Sequence, residues 1–230
     1  MLKAMQLEKR FFRKTGDANF FRAVDQASLT LNKGTLTMLT GRSGSGKTTL
    51  LQMLAGLLQP SGGQVTLDET DLYALDDNRL SALRATHIAV IPQVNAAVNA
   101  LTVWENILLP TMLADRDMDE AAAKAAAMLE RLGIAHLKEA CPSELSGGEK
   151  RRMSIIRALV SGADVILADE PTGDLDDENT EIVLSLLREA ADRGAAVLLV
   201  THEKSAKKWA DSVLTMHSGR VETAAGREEA

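Results

Sequence analysis

Short apolar blocks punctuate this chain at wide intervals. Leu36-Thr37-Met38-Leu39-Thr40, Ile88-Ala89-Val90-Ile91, Val165-Ile166-Leu167-Ala168 and Ala195-Ala196-Val197-Leu198-Leu199-Val200 are each bounded by Gly, Pro or Asp. The near-continuous runs at 165–168 and 195–200 predict parallel strands covered on both faces, Ile88–Ile91 predicts a short buried strand, and the alternating Leu36–Thr40 predicts the strand before the glycine-rich loop. Residues 2–12 and 27–31 alternate instead and are joined through the polar Thr15-Gly16-Asp17-Ala18-Asn19, which predicts an N-terminal antiparallel hairpin. Gln64-Val65-Thr66-Leu67 adds a short strand and residues 212–216 a last one; 223–230 reads as a charged frayed tail.

Helical spacing fills the gaps. Leu50, Leu51, Leu54 and Leu57 predict a helix ending near Pro60-Ser61-Gly62-Gly63, and residues 76–86 predict another. Thr102-Val103-Trp104-Glu105 is a capping-box pattern, the Ala-rich stretch 118–132 is closed by Gly133, and 178–191 is stopped by Gly194. No strand pattern occurs between Gln93 and about Val165. The expectation is one α/β domain over residues 1–230: a core with a mostly parallel sheet and an antiparallel β subdomain (1–93 and 162–230), carrying an inserted α-helical subdomain at 94–161.

Composition narrows the options. In 230 residues, 26 Lys and Arg face 32 Asp and Glu for a net charge of −6, so no global basic field favours nucleic acid. The single cysteine, Cys141, excludes an internal disulfide and a cysteine zinc site and suits a reducing cytosol. Met1-Leu2-Lys3-Ala4-Met5-Gln6 lacks the apolar core of a secretory signal. No apolar stretch approaches the roughly 20 residues of a membrane span, so work at a membrane implies a partner.

The chemistry concentrates where strands end. Gly41-Arg42-Ser43-Gly44-Ser45-Gly46-Lys47-Thr48 follows one strand and opens a helix, matching the phosphate-binding P-loop G-x-x-x-x-G-K-[ST]. Its glycines free backbone N–H groups for an anion, Lys47 reaches outer phosphates, and the Thr48 hydroxyl is a hard ligand for Mg²⁺. Asp169-Glu170 ends another strand; Asp169 suits the Mg²⁺ shell and Glu170 can orient or deprotonate a water. Leu145-Ser146-Gly147-Gly148-Glu149 combines a capping box with two glycines in the first helical turn, a costly choice for helix stability alone that leaves donors open to a second phosphate. Lys150, Arg151 and Arg152 read as a solvated helix face or as extra positive charge nearby.

Taken together, these motifs resemble those of the ATP-binding cassette (ABC) ATPases, with the P-loop NTPase, RecA-like core such a likeness implies. Walker A corresponds to residues 41–48, the glutamine loop to Gln93, the signature to residues 145–149, and Walker B ends in Asp169-Glu170. Gly173-Asp174-Leu175-Asp176 corresponds to the D-loop and Thr201-His202 to the switch histidine. Three departures stand out: Glu149 replaces the usual Gln, Asp174 sits where Ala or Asn is common, and Thr35, Thr37 and Thr40 occupy a strand that is usually more apolar.

The resemblance implies ATP and Mg²⁺ as cofactors. Residues 41–48 with Thr49 would bind ATP, and Thr48, Gln93 and Asp169 would hold the metal. Glu170, His202 and Gln93 would be catalytic, His202 contacting the γ-phosphate and positioning Glu170, and Phe11 would stack on adenine, with Phe12 equally near. Residues 145–149 and Asp176 would face the ATP of a second copy or a homologous subunit paired head to tail. An integral membrane permease would dock around 102–113 and the loop after Gln93, Trp104 being a candidate contact, which would hold the chain peripherally on the inner face of the cell membrane. Ala82-Leu83-Arg84, Pro142-Ser143-Glu144 and residues 169–176 resemble the lipoprotein-release, macrolide-export and cell-division group. The alternative is a soluble or cell-division-type ABC ATPase that uses ATP-driven pairing for assembly or regulation; nucleic acid is not expected as a partner.

Overall fold

The computed structural model describes residues 1–12, 20–94 and 96–223. The hairpin connection at 15–19 and the tail from 224 onward lie outside the described residues. In chain order the strands are β1 (Leu2–Phe12), β2 (Phe20–Leu31), β3 (Leu36–Thr40), β4 (Gly62–Leu67), β5 (Thr70–Asp71), β6 (Ile88–Ile91), β7 (Val165–Asp169), β8 (Ala196–Val200), β9 (Ser212–His217) and β10 (Arg220–Thr223). The helices are α1 (Lys47–Leu54), α2 (Asp77–His87), α3 (Val103–Leu113), α4 (Met118–Arg131), α5 (Gly147–Val160) and α6 (Asp177–Asp192).

Two sheets form. An antiparallel sheet runs β2-β1-β4-β5, and a six-stranded sheet runs β10-β9-β3-β8-β7-β6 with only the β10 edge antiparallel. The order of the second sheet positions the site. Strands β3, β8, β7 and β6 lie side by side, so their carboxyl ends bring Gly41, Thr201-His202, Asp169-Glu170 and Pro92-Gln93 into one row, the place where open α/β sheets bind ligands.

The apolar blocks are dense because both faces are covered. On β7, Ile166 and Ala168 point into a core shared with α3, α4, α5 and α6, while Val165 and Leu167 point into a second core shared with α1 and the antiparallel sheet. Val197 and Leu199 divide from Ala196, Leu198 and Val200 on β8 in the same way. The threonines of β3 and its approach are satisfied locally. Thr37 Oγ1 accepts from Ser212 Oγ at 3.1 Å, Thr40 Oγ1 donates to the Leu214 carbonyl at 3.2 Å, and Thr35 Oγ1 donates to the Asn32 carbonyl at 2.9 Å.

Helix α1 is shorter than its leucine spacing predicts. Gly56 adopts φ +68°, its N–H donates to the Met53 carbonyl, and the Leu57 N–H reaches back to the Gln52 carbonyl at 2.9 Å. That pair of bonds is a Schellman stop, which ends the helix at Leu54 and turns Leu57 outward, 57% exposed. Two short strands, β5 and β10, are absent from the sequence expectation, and β2 begins at Phe20 rather than 27. Between β6 and β7 the described residues contain no strand, and α3, α4 and α5 pack on one another. No helix among the described residues is long and apolar enough to cross a membrane.

Candidate functional site

The loop between β3 and α1 is shaped by what its glycines touch. A Cβ on Gly41 would stand 2.3 Å from the Met216 carbonyl oxygen, and one on Gly46 would stand 2.1 Å from that of Ala23. Side chains are excluded at both positions. Gly44, at φ +76°, faces open space, which leaves room for an anion over the loop. From below, the loop is braced by the β9–β10 turn: the Gly219 N–H donates to the Ser45 carbonyl at 3.0 Å, and the Asp25 N–H to the Gly219 carbonyl at 2.8 Å. Asp25 carries Arg220 at 2.9 Å and Arg22 at 2.9 Å, and the Arg220 contact holds its carboxyl below the ordinary value. Lys47 folds over the loop, its Nζ donating to the carbonyls of Gly41 and Arg42 at 2.8 and 3.1 Å. An incoming phosphate would compete with those weak neutral acceptors for a full positive charge.

Across the row, Asp169 is 2% exposed and accepts a hydrogen bond from the Thr48 hydroxyl. Burial is the main influence on its carboxyl and pushes its pKa up; the Thr48 bond, Lys47 and Arg151 oppose that push. A hydroxyl and a buried carboxylate facing each other are hard oxygen donors. Glu170 follows in a left-handed conformation, φ +48°, with its N–H donating to the Val200 carbonyl at 2.8 Å. The side chain is thereby turned toward the end of β8. Its Oε1 lies 3.0 Å from His202 Nδ1, and its Oε2 is buried with no hydrogen-bond partner. The bond to Glu170 is the main reason the His202 pKa is raised. Behind them Thr172 Oγ1 donates to Glu203 Oε1 at 2.7 Å, which fastens the chain after β7 to the chain after β8.

Gly41, Gly44, Gly46, Lys47, Thr48, Asp169, Glu170 and His202 line a cleft of about 840 Å³ together with Ser43, Thr49, Gln93 and Gly173, while Arg42 and Ser45 of the loop are not part of its wall. Other residues singled out in the sequence lie elsewhere. Phe11 is paired with Phe21 across β1 and β2, ring centroids 5.6 Å apart, and it is Phe21, with Ala23, that lines the cleft. Phe12 is 76% exposed. Ser146 forms the expected capping box, with its N–H donating to Glu149 Oε2 at 2.7 Å and its Oγ accepting from the Glu149 N–H at 3.3 Å. The Ser146 N–H is also the largest cause holding the Glu149 carboxyl below its ordinary value. None of Leu145, Ser146, Gly147, Gly148 or Glu149 lines this chain's own cleft. Asp176 caps α6, accepting from the Asn179 N–H at 2.8 Å.

Two features were illegible in the sequence. Arg151, grouped there with a solvated face, is buried and lines the cleft beside Asp174. Nothing in a run of three basic residues marks which one turns inward. Phe21 sits in a stretch without clear alternation, and only its register opposite Phe11 places it. A second, apolar groove lies between Leu57 on the α1 side and Leu109, Pro110 and Leu113 of α3, with Arg84 and Arg157 along it. Trp104 is outside this groove, packed on the core with Lys138 Nζ 3.9 Å from its ring centroid.

Comparison with known proteins gives a consistent result. A family model described as ABC transporter matches residues 24–173. The lipoprotein-releasing system ATP-binding protein LolD of Buchnera aphidicola subsp. Schizaphis graminum is 34% identical over 222 residues, 96% of each chain. The macrolide export ATP-binding/permease protein MacB 2 of Aeromonas hydrophila is 35% identical over 230 residues, all of this chain and 35% of that protein. The chain thus spans about a third of the length of the macrolide-export relatives it matches. Among solved structures, the dimeric post-hydrolysis state of the ATP-binding cassette MJ0796 bound to ADP and Pi superposes with a TM-score of 0.88 at 28% identity, covering 97% of this chain and 98% of that one.

Proposed function

Because this chain belongs to the ABC transporter family, we propose that it is an ATP-binding and ATP-hydrolysing subunit that pairs head to tail around ATP and drives a separate membrane permease. The observation that carries this is the division of the motifs between two surfaces. The P-loop, Asp169, Glu170, His202 and Gln93 share one cleft, while residues 145–149 present a capped helix N-terminus outside it. A second copy turned end for end would lay its own helix start over the nucleotide, and the MJ0796 cassette is a dimer.

Within one cleft the roles follow from position. The loop N–H groups and Lys47 hold the phosphates, and Thr49 lies beside them. Thr48, Asp169 and Gln93 would hold Mg²⁺, and the paired Thr48 hydroxyl and buried Asp169 carboxylate fit that hard cation. When bound, the ion would offset phosphate charge. Glu170 orients the attacking water and accepts its proton; the buried, unpartnered Oε2 is the atom free to do so. His202 keeps the other oxygen occupied and places its ring where the γ-phosphate would sit. Phe11 and Phe21 offer a stacked pair of rings at the cleft mouth for adenine, Phe21 being the nearer. The domain is a core, 1–93 and 162–230, carrying the helical insert 94–161.

Permease docking is assigned to the apolar groove around Leu57 and Leu113 rather than to Trp104. Those leucines are 57% and 65% exposed and flank the junction of core and insert. The relatives' names point to lipoprotein release and macrolide export, so the partner proposed is a permease of that group, with this chain peripheral at the membrane's inner face. Affinity purification from detergent-solubilised membranes tests the assignment. An integral membrane partner together with ATP hydrolysis is expected; recovery without any such partner would favour a soluble assembly ATPase.

A further inference from the structure

Arg151 is the charged side chain of the cleft that the motifs leave without a role. Its side chain is only 4% exposed, yet it belongs to no ligand set named above. Its guanidinium reaches two segments and is carried by a third. Nη1 donates to the Pro92 carbonyl at 2.6 Å, Nη2 donates to the Gln93 carbonyl at 2.5 Å, and Nη2 lies 3.6 Å from Asp174 Oδ2. The third segment is its own helix. A Cβ on Gly148, in the first turn of α5, would stand 3.4 Å from the Asp174 carbonyl oxygen and 3.8 Å from Leu175 Cδ2, so that turn rests directly on residues 174–175.

A buried guanidinium is a poor choice for filling space, since an apolar side chain of similar volume avoids the desolvation cost. What a planar fork provides is fixed geometry between acceptors that belong to different segments. Two of those acceptors are backbone carbonyls, so the bonds set where the Gln93 loop runs rather than what its side chain does. The acidic partner, Asp174, belongs to a different segment and is the one charged group of the three, so the fork ties the Gln93 loop to the 173–175 turn through an ion pair.

We propose that Arg151 is a positioning residue: paired with Asp174, it locks the Gln93 loop, the 173–175 turn and the first turn of α5 into one moving unit, so that nucleotide held in one chain's cleft is felt at the signature face that the same chain offers to its partner. The proposal rests on the head-to-tail reading above.

The test separates effects within one chain from effects of pairing. In a full-length Ser146→Arg chain, whose signature face is blocked, amide hydrogen exchange is measured with and without Mg-ATP, and again after adding Arg151→Met or Asp174→Asn. Asp174 is 59% exposed at its side chain, so its variant folds even if burial makes Arg151→Met costly. Protection of residues 41–49 is expected in all three chains. The nucleotide-dependent change at residues 147–150, the first turn of α5, is expected in the parent and is expected to shrink at least about fivefold in both variants. Arg151→Lys, which keeps a charge but not the fork, restores part of it. An unchanged response at 147–150 in both variants overturns the relay while leaving nucleotide binding intact. Absence of protection at 41–49 in the parent overturns the functional reading and the relay with it.

Discussion

His202 Nδ1 lies 3.0 Å from Glu170 Oε1, and the second oxygen of that carboxylate is buried without a partner. The pair joins the ends of two adjacent strands, β8 and β7, and leaves one acceptor aimed away from the histidine. Replacing Glu170 by Gln keeps the shape and removes the acceptor of a proton. Turnover is expected to fall by about 100- to 10,000-fold, with ATP binding retained and an ATP-dependent dimer accumulating. Steady-state hydrolysis and sedimentation velocity check this; a monomer turning over normally would reject Glu170 as the base.

Ser146→Arg places a long cation at the start of α5. Losing the cap costs about 1 kcal/mol, too little to unfold a domain of this size. Hydrolysis is expected to fall by at least about 100-fold, while a fluorescent ATP analogue binds the isolated chain within a few-fold of normal. Unchanged hydrolysis would contradict a site shared between two copies.

Asp25 ties β2 to the turn that braces the P-loop. Its carboxyl is held below the ordinary 3.8 chiefly by the Arg220 bond, so its contribution is complete above that value and lost as pH falls through the lower folded value. Asp25→Asn is expected to lower Tm by a constant amount from pH 8 down to about 4, the gap to the parent closing at more acid pH. Melting curves across that range decide it; a gap that widens on acidification reverses the sign and removes the ion pair as its cause.

Leu57→Glu with Leu113→Glu should separate docking from catalysis. Both side chains are exposed, and surface changes of this kind alter stability by roughly 0.5 kcal/mol or less each. ATP binding is expected to persist while permease recovery falls at least about tenfold, the equivalent of about 1.4 kcal/mol. Equal recovery of the permease would move the docking site elsewhere.

The sequence carried the strand ends and helix caps because their chemistry is local: Thr102 with Glu105 and Ser146 with Glu149 close within four residues. Residues 41–48 and 169–170 were legible for the same reason. The order in which strands lie was not, since β3 finds its neighbours about 160 to 175 residues away, at Leu36 with Val197 and at Thr37 with Ser212. That order is what gathers Gln93 and His202. Arg151 escaped notice because direction on a helix depends on what packs against it, and its acceptors at Pro92 and Gln93 are almost 60 residues upstream. The Schellman stop at Gly56 was masked by a leucine spacing that continued past it.

The sheet order also sets a sequence of events during synthesis. Strand β8 lies between β3 and β7, and it is made after both. Before residue 200 exists, the P-loop strand and the Asp169 strand have no common neighbour in this sheet. They therefore share a neighbour only once β8 is inserted between them, so the last of the three strands to be made is the one that unites the two halves of the phosphate site.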